Sequence, residues 1–190
     1  MTSSGINPCM EWHIETPRLL LREFRPEDAA ALFRLDSDPE VHRYLGNNPI
    51  QHLTQAEAYI AYLRHQYEVN GIGRWASFEK SSGQFIGWTG LKWVTEPEHE
   101  RRNYYDVGYR LLPAFWGQGY ATEASREALH YAFTNMQLNE LIGTCHQDNK
   151  ASKHVLEKCG LRFVDQFTWK DITCDWLRIT RQEWEQQTRR

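Results

Sequence analysis

Four cysteines in a chain of 190 residues (Cys9, Cys145, Cys159 and Cys174) stand too far apart to form a CxxC pair. The sequence therefore lacks the usual signal for a thiol redox motif or a structural zinc site. No run approaches the ~20 consecutive apolar residues of a membrane span. The first nine residues are polar and lack the apolar centre of a secretion signal. Free thiols in a reducing cytoplasm are the expectation. A basic excess is missing too: 22 Lys and Arg against 25 Asp and Glu leave a formal net charge of −3, with no electrostatic footprint for nucleic acid. The eight histidines are scattered without metal-ligand spacing, so no metal is expected. There is no internal repeat, low-complexity segment or interdomain linker.

What is present fits one α/β domain over residues 12–190, behind a frayed 1–11 segment. Hydrophobic residues make up 41% and aromatics 13%, with eight Trp and nine Tyr. That is enough for a large core, or for a cleft that grips an organic ligand. A strand is expected over 18–24. Pro26 then opens a helix, with Glu27 and Asp28 in its first turn, and Asp38-Pro39 stops it. A short helical turn follows near Glu40. Thr54 and Glu57 read as a capping box. Behind them Ala56, Tyr59, Ile60, Leu63 and Tyr67 recur with helical period.

The period then changes to strand-like over 74–80 and 84–94, joined by the hairpin signal Ser81-Ser82-Gly83. Further strands are expected at 104–112 and 138–146, with helices at 120–134 and 149–159. A last hairpin turns at Lys170-Asp171, and Thr180 with Glu183 caps a final helix. The order is β-α-α-β-β-β-α-β-α-β-β. Trp88, Trp93, Trp116, Trp169 and Trp176 read mainly as core. Tyr44, Trp75 and Trp169 are candidates to line a pocket.

The most informative stretch is 108–124. A strand ends at Pro113, Gly117 and Gly119 follow, and a helix starts with small residues. This order aims several backbone N–H groups one way and adds the positive end of a helix dipole, an anion site suited to a phosphate or pyrophosphate. A GxxxxGK[ST] loop is absent. A dinucleotide fold needs a third glycine where Thr122 stands, early in the chain rather than behind a meander. Glu123, one turn into the anion site, would repel a phosphate unless it points away, and reads as structural. Cys145 and His146 are strand neighbours and point to opposite faces, so they do not read as a nucleophile pair.

Together these residues resemble the GNAT superfamily of acyl-CoA N-acyltransferases from 18 to 181. The family's coenzyme A signature, (Arg/Gln)-x-x-Gly-x-(Gly/Ala), is matched at Gly119 and Ala121. It departs at the first position, where Trp116 stands. That replacement, the segment Thr16-Pro17-Arg18-Leu19 and the strand Asp106-Val107-Gly108-Tyr109-Arg110-Leu111 resemble the branch of the ribosomal-protein N-terminal acetyltransferases. A second signature, Asn-x-x-Ser before Glu-Lys-x-Gly-(Phe/Leu), is similar to Asn149-Lys150-Ala151-Ser152 and Glu157-Lys158-Cys159-Gly160-Leu161.

The resemblance implies a mixed, mostly antiparallel sheet of about seven strands, splayed between the fourth and fifth, with about four helices. It implies acetyl-CoA as co-substrate. The pyrophosphate would lie on Trp116, Gly117, Gln118, Gly119, Tyr120, Ala121 and Thr122. The pantetheine arm would run along Gly108, Tyr109, Arg110 and Leu111, with Asn149 and Ser152 beside it. A primary amine, on a protein N-terminus or a small molecule, would enter from the opposite side. Asp106 is then the candidate base, acting directly or through water. Ser152 is the candidate acid for the leaving thiolate. A backbone N–H near Gly108 or Tyr109 would hold the oxyanion. Monomer and homodimer both fit. A non-catalytic acyl-CoA-binding module and a phosphate-binding domain unrelated to CoA are the rival expectations.

Overall fold

A computed structural model describes residues 14–189. The expected 1–11 segment and Cys9 lie outside the described residues. The chain forms one eight-stranded sheet in the order β1-β2-β3-β4-β5-β6-β8-β7. Its strands are β1 (Ile14–Glu15), β2 (Leu19–Arg22), β3 (Arg74–Glu79), β4 (Phe85–Val94), β5 (Tyr104–Leu111), β6 (Glu140–His146), β7 (Arg162–Trp169) and β8 (Ile172–Thr180). All neighbours are antiparallel except β5 and β6, which run parallel. The eighth strand beyond the expected seven is β1, two residues long and too short to show a period.

The helices are α1 (Ala29–Asp36), α2 (Pro39–His42), α3 (Leu53–Asn70), α4 (Tyr120–Thr134), α5 (Lys150–Lys158) and α6 (Arg181–Thr188). The two α-helices beyond the four that the resemblance implies are α2 and α6, both short, and they match the helical turn near Glu40 and the capped final helix read from the sequence. None of the described helices is long and apolar enough to cross a membrane.

Local chemistry sets several boundaries. Thr180 and Glu183 exchange capping bonds at the start of α6. Lys170 and Asp171 both take positive φ, 44° and 66°, in the tight turn between β7 and β8. The expected Thr54–Glu57 box does not form. The helix begins two residues earlier, with His52 as its N-cap, and the Gln51 and His52 N–H groups donate to Gln55 Oε1 at 2.8 and 3.0 Å. Gln55 reaches back over the turn that Glu57 was expected to close.

The sheet is covered on both faces. On one, α4 and α5 pack over Val107, Leu111, Leu141 and Leu177. Ala124, Ala128 and Ala132 of α4 are fully buried there, and their four-residue spacing lets the helix backbone approach the sheet. On the other face α1 and α3 cover Ala76, Phe85 and Trp88. Arg22 and Asp28, both buried, form a bidentate pair at 2.7 and 2.8 Å that ties β2 to the turn before α1. A charge pair so buried costs desolvation and is worth most when every donor is placed. Trp75 and Trp176 are buried in the core, so Trp75 is not the pocket residue expected from sequence.

Candidate active site

The feature that makes a site is a break in sheet pairing. β4 and β5 pair continuously from Gly87 opposite Leu111 to Val94 opposite Tyr104. β5 and β6 share a single register pair, Asp106 with Ile142. On its other edge β6 stays paired with β8 over its whole length, from Glu140 opposite Thr180 to His146 opposite Cys174. The two parallel strands therefore part at Asp106 and leave the far half of β5 as an open edge inside the molecule. A cleft of about 580 Å³ fills the gap. It passes through the sheet, with Tyr109, Ala121 and Val155 on one side and Arg74, Trp88 and Tyr44 on the other.

Strand alternation decides which backbone groups face the gap. The Leu112 N–H donates to the Ile86 carbonyl of β4, so residues 106, 108, 110 and 112 turn their N–H and C=O towards β4. Tyr109 and Leu111 turn theirs into the gap. Two sequence expectations change as a result. Gly108 and Arg110 do not offer main-chain bonds to a cofactor arm, and of the two oxyanion candidates only the Tyr109 N–H points the right way. The Leu111 carbonyl is taken by the Trp116 indole N–H at 2.7 Å. That leaves the Tyr109 N–H, the Tyr109 carbonyl and the Leu111 N–H on the open edge.

The edge leads into the glycine turn. Gly117 and Gly119 have φ of 72° and 83°, a region costly for any residue with a Cβ. Gly119 is the N-cap of α4 and, having no side chain, leaves the first N–H groups of the helix uncapped. Trp116 is 47% exposed. It is a wall of the cleft rather than the core residue expected.

Arg18 braces this turn from the start of β2. Its Nη1 donates to the Gln118 carbonyl at 2.9 Å and its Nε to Glu123 Oε2 at 2.6 Å. Its guanidinium lies 4.4 Å from the centre of the Tyr120 ring. The Thr16 hydroxyl and the Arg18 N–H also donate to Glu123, at 2.6 and 2.8 Å. Burial alone would push the Glu123 carboxyl up, but these bonds outweigh it and hold the group below its ordinary value. Gln118 does not line the cleft; its side-chain amide donates to the Ala114 carbonyl at 2.7 Å.

The groups suited to proton transfer lie at the apex and along one wall. Asp106 sits where the strands part, on the side of the sheet carrying α1 and α3. Arg74 bonds its carboxylate and, at 3.0 Å, its carbonyl. Burial pushes the Asp106 carboxyl above its usual range, against the pull of Arg74. A side chain at Gly108 would collide with that guanidinium, 2.9 Å from the Cβ position, so the glycine makes room for the ion pair.

On the other side burial pushes the Tyr109 hydroxyl up to about 12, against a smaller downward pull from the neighbouring Ser152 side chain. Asn149 caps α5, accepting from the Ser152 N–H at 3.1 Å. Cys145 is buried, and burial pushes its thiol up to about 12, far from a thiolate at neutral pH. His146 accepts from the Asp148 N–H through Nδ1 and stacks 5.3 Å from Tyr44.

The structure thus brings Asp106, Tyr109, Leu111, Trp116, Gly117, Gly119, Tyr120, Ala121, Thr122, Asn149 and Ser152 to one cleft. Sequence reading missed Arg74 as a site residue. Its one signal was a charged residue opening a strand whose next two residues, Trp75 and Ala76, are apolar.

This geometry, an opened parallel pair leading to an uncapped helix start, suits an extended ligand with an anionic end, and the comparisons say which class of protein carries it. The GNAT acetyltransferase domain model matches residues 18–162. An FsC-acetyl coenzyme A-N(2)-transacetylase from Aspergillus fumigatus is 35% identical over 81% of this chain and 66% of its own. This chain therefore spans a little under two thirds of that relative. The uncharacterized N-acetyltransferase YoaA of Bacillus subtilis is 30% identical over 78% of this chain and 82% of its own. The putative ribosomal N-acetyltransferase YdaF of the same organism is 27% identical over 75% and 76%. A Vibrio cholerae spermidine N-acetyltransferase, solved with CoA and spermine, shares the fold with a TM-score of 0.69 at 18% identity, over 88% of this chain and 98% of its own. The chain belongs to the GNAT acetyltransferase family.

Proposed function

We propose that the protein transfers the acetyl group of acetyl-CoA to a primary amine by direct attack. The observation that carries this is the open β5 edge, Tyr109 to Leu111, running into the uncapped start of α4. An extended pantetheine arm adds to such an edge as a strand would. A pyrophosphate suits the N–H groups from Gly117 to Thr122. Relatives whose names specify transfer to nitrogen on chemically different acceptors support the amine and leave its carrier open.

In this reading the thioester carbonyl lies on the Tyr109 N–H, which strengthens its bond as the oxygen becomes an oxyanion. The amine approaches from the side of Asp106. Asp106 stands three residues before Tyr109, about 10 Å along the strand. It therefore accepts the amine proton through water rather than directly. Ser152, backed by Tyr109, delivers a proton to the departing thiolate. Holding both reactants in one cleft supplies several kcal/mol of the barrier reduction.

The test is thiol release from acetyl-CoA with a panel of amines. Turnover with at least one amine, reduced about 100-fold by Asp106→Asn and by Ser152→Ala with acetyl-CoA binding retained, is the expected result. A rise in melting temperature on adding acetyl-CoA, with no thiol released by any amine, would instead favour a binding module.

A further inference from the structure

The face of the splay opposite α4 carries two arginines in different states. Both guanidiniums stack on Trp88, at 5.1 Å for Arg74 and 5.2 Å for Arg110. Arg74 is fully engaged by the Gly90 carbonyl, the Asp106 carbonyl and the Asp106 carboxylate. Arg110 gives Nη1 to Asp36 Oδ1 at 2.7 Å. Among the described residues its Nε and Nη2 have no hydrogen-bond partner. Its side chain is 21% exposed and lines the cleft, while Asp36, at 8%, holds it from behind. A guanidinium fixed at one corner, stacked on an indole and presenting unused donors is preorganised for an oxygen acceptor.

The position of Arg110 says where that oxygen lies. Arg110 directly follows Tyr109, whose N–H faces the gap, and alternation sends the Arg110 side chain to the side from which the amine comes. An amine at the reacting carbonyl is therefore within a few ångströms of Arg110, close enough for a carbonyl oxygen three bonds from the nitrogen. A polycation does not suit this face. Of the carboxylates lining the cleft, Asp106 is taken by Arg74, and Glu40 is 67% exposed beside Arg43.

We infer that Arg110 is a specificity-determining residue and that the acceptor is an α-amino carbonyl compound, its carbonyl oxygen bound by Arg110. This rests on the acetyl-transfer reading above. A free α-carboxylate and an ester or amide of one both carry this oxygen, and the test separates them.

Thiol release from acetyl-CoA is measured with the full chain and a set of amino acids. Each is offered as free acid, as methyl ester and as the decarboxylated amine, with spermidine alongside. The free acid, the ester or both should exceed the decarboxylated amine at least tenfold in kcat/KM. Which of the two leads identifies the source of the carbonyl. Arg110→Gln should erase the preference while acetyl-CoA still raises the melting temperature. Because that variant strands the Asp36 carboxylate, R110Q combined with D36N removes both charges and should erase the preference equally. Decarboxylated amines or spermidine turning over as well as the acids and esters would overturn the inference and leave acetyl transfer standing, as would a preference that survives in both variants. Release from no amine at all would remove the acetyl-transfer reading and this inference with it.

Discussion

Glu123 and Arg18 show how a charge is made safe beside an anion site. A carboxylate one turn into α4 would repel a phosphate, yet Thr16 and Arg18 draw it towards the start of β2. That Glu123 points away was legible from charge alone. Its partner was not, because Arg18 lies 105 residues away and only the sheet brings it near. The salt bridge is half exposed on the Arg18 side, so its weight is in placing the loop more than in stability. Arg18→Gln is expected to raise the KM for acetyl-CoA about tenfold with a smaller change in kcat, read from steady-state kinetics. The pH effect has a definite sign. Glu123 is held below its unfolded value of ~4.3, so its ionisation stabilises the fold above that pH. The contribution is lost as pH falls through the lower folded value. The wild-type melting temperature should therefore drop more steeply below about pH 4.5 than that of Glu123→Gln.

Among the elements, α4 is the one whose packing positions the site. Its three buried alanines bring the helix close to β4 and β5, and a larger side chain would lift the glycine turn with it. Ala128→Leu is expected to cost about 1–3 kcal/mol by overpacking, seen as a lowered midpoint in urea. At the helix start, Gly119→Ala places a Cβ at a φ of 83° and 3.3 Å from Arg18 Nη2. It should cost about 1–2 kcal/mol and raise the acetyl-CoA KM several-fold. The bounds of α4 were readable in the sequence because Gly119, the alanine spacing and Thr134 all agree. The start of α3 was not, since Thr54-Gln55-Ala56-Glu57 satisfies the capping pattern while Gln55 makes the bonds. The two boxes lie two residues apart, and tertiary packing selects between them.

In the whole molecule, one sheet does two jobs. It carries a core on each face, and by letting β6, held throughout by β8, part from β5 it opens a passage between those faces. The antiparallel meander of β3, β4 and β5 followed from the hairpin signal and alternation. The splay itself was foreseen only through family resemblance, because no local pattern reports a bond that fails to form. For the same reason Gly108 and Arg110 were expected on the cofactor arm. Which way a strand residue turns its backbone depends on register with β4, and register is a property of the pair. Asp106, at the apex, connects this scale to catalysis. Its raised carboxyl value should place the acid limb of the kcat profile above the ordinary ~3.9 of an aspartate, and Asp106→Asn should flatten that limb while lowering the plateau.

The central claim is that acetyl-CoA pairs with the open edge of β5. Amide hydrogen exchange at single-residue resolution, with and without acetyl-CoA, tests it most directly. Slower exchange is predicted at Tyr109 and Leu111 and through Gly117 to Thr122. Little change is predicted at Gly108 and Arg110, whose N–H groups already face β4. Unaltered exchange at Tyr109 and Leu111 under saturating acetyl-CoA would contradict it.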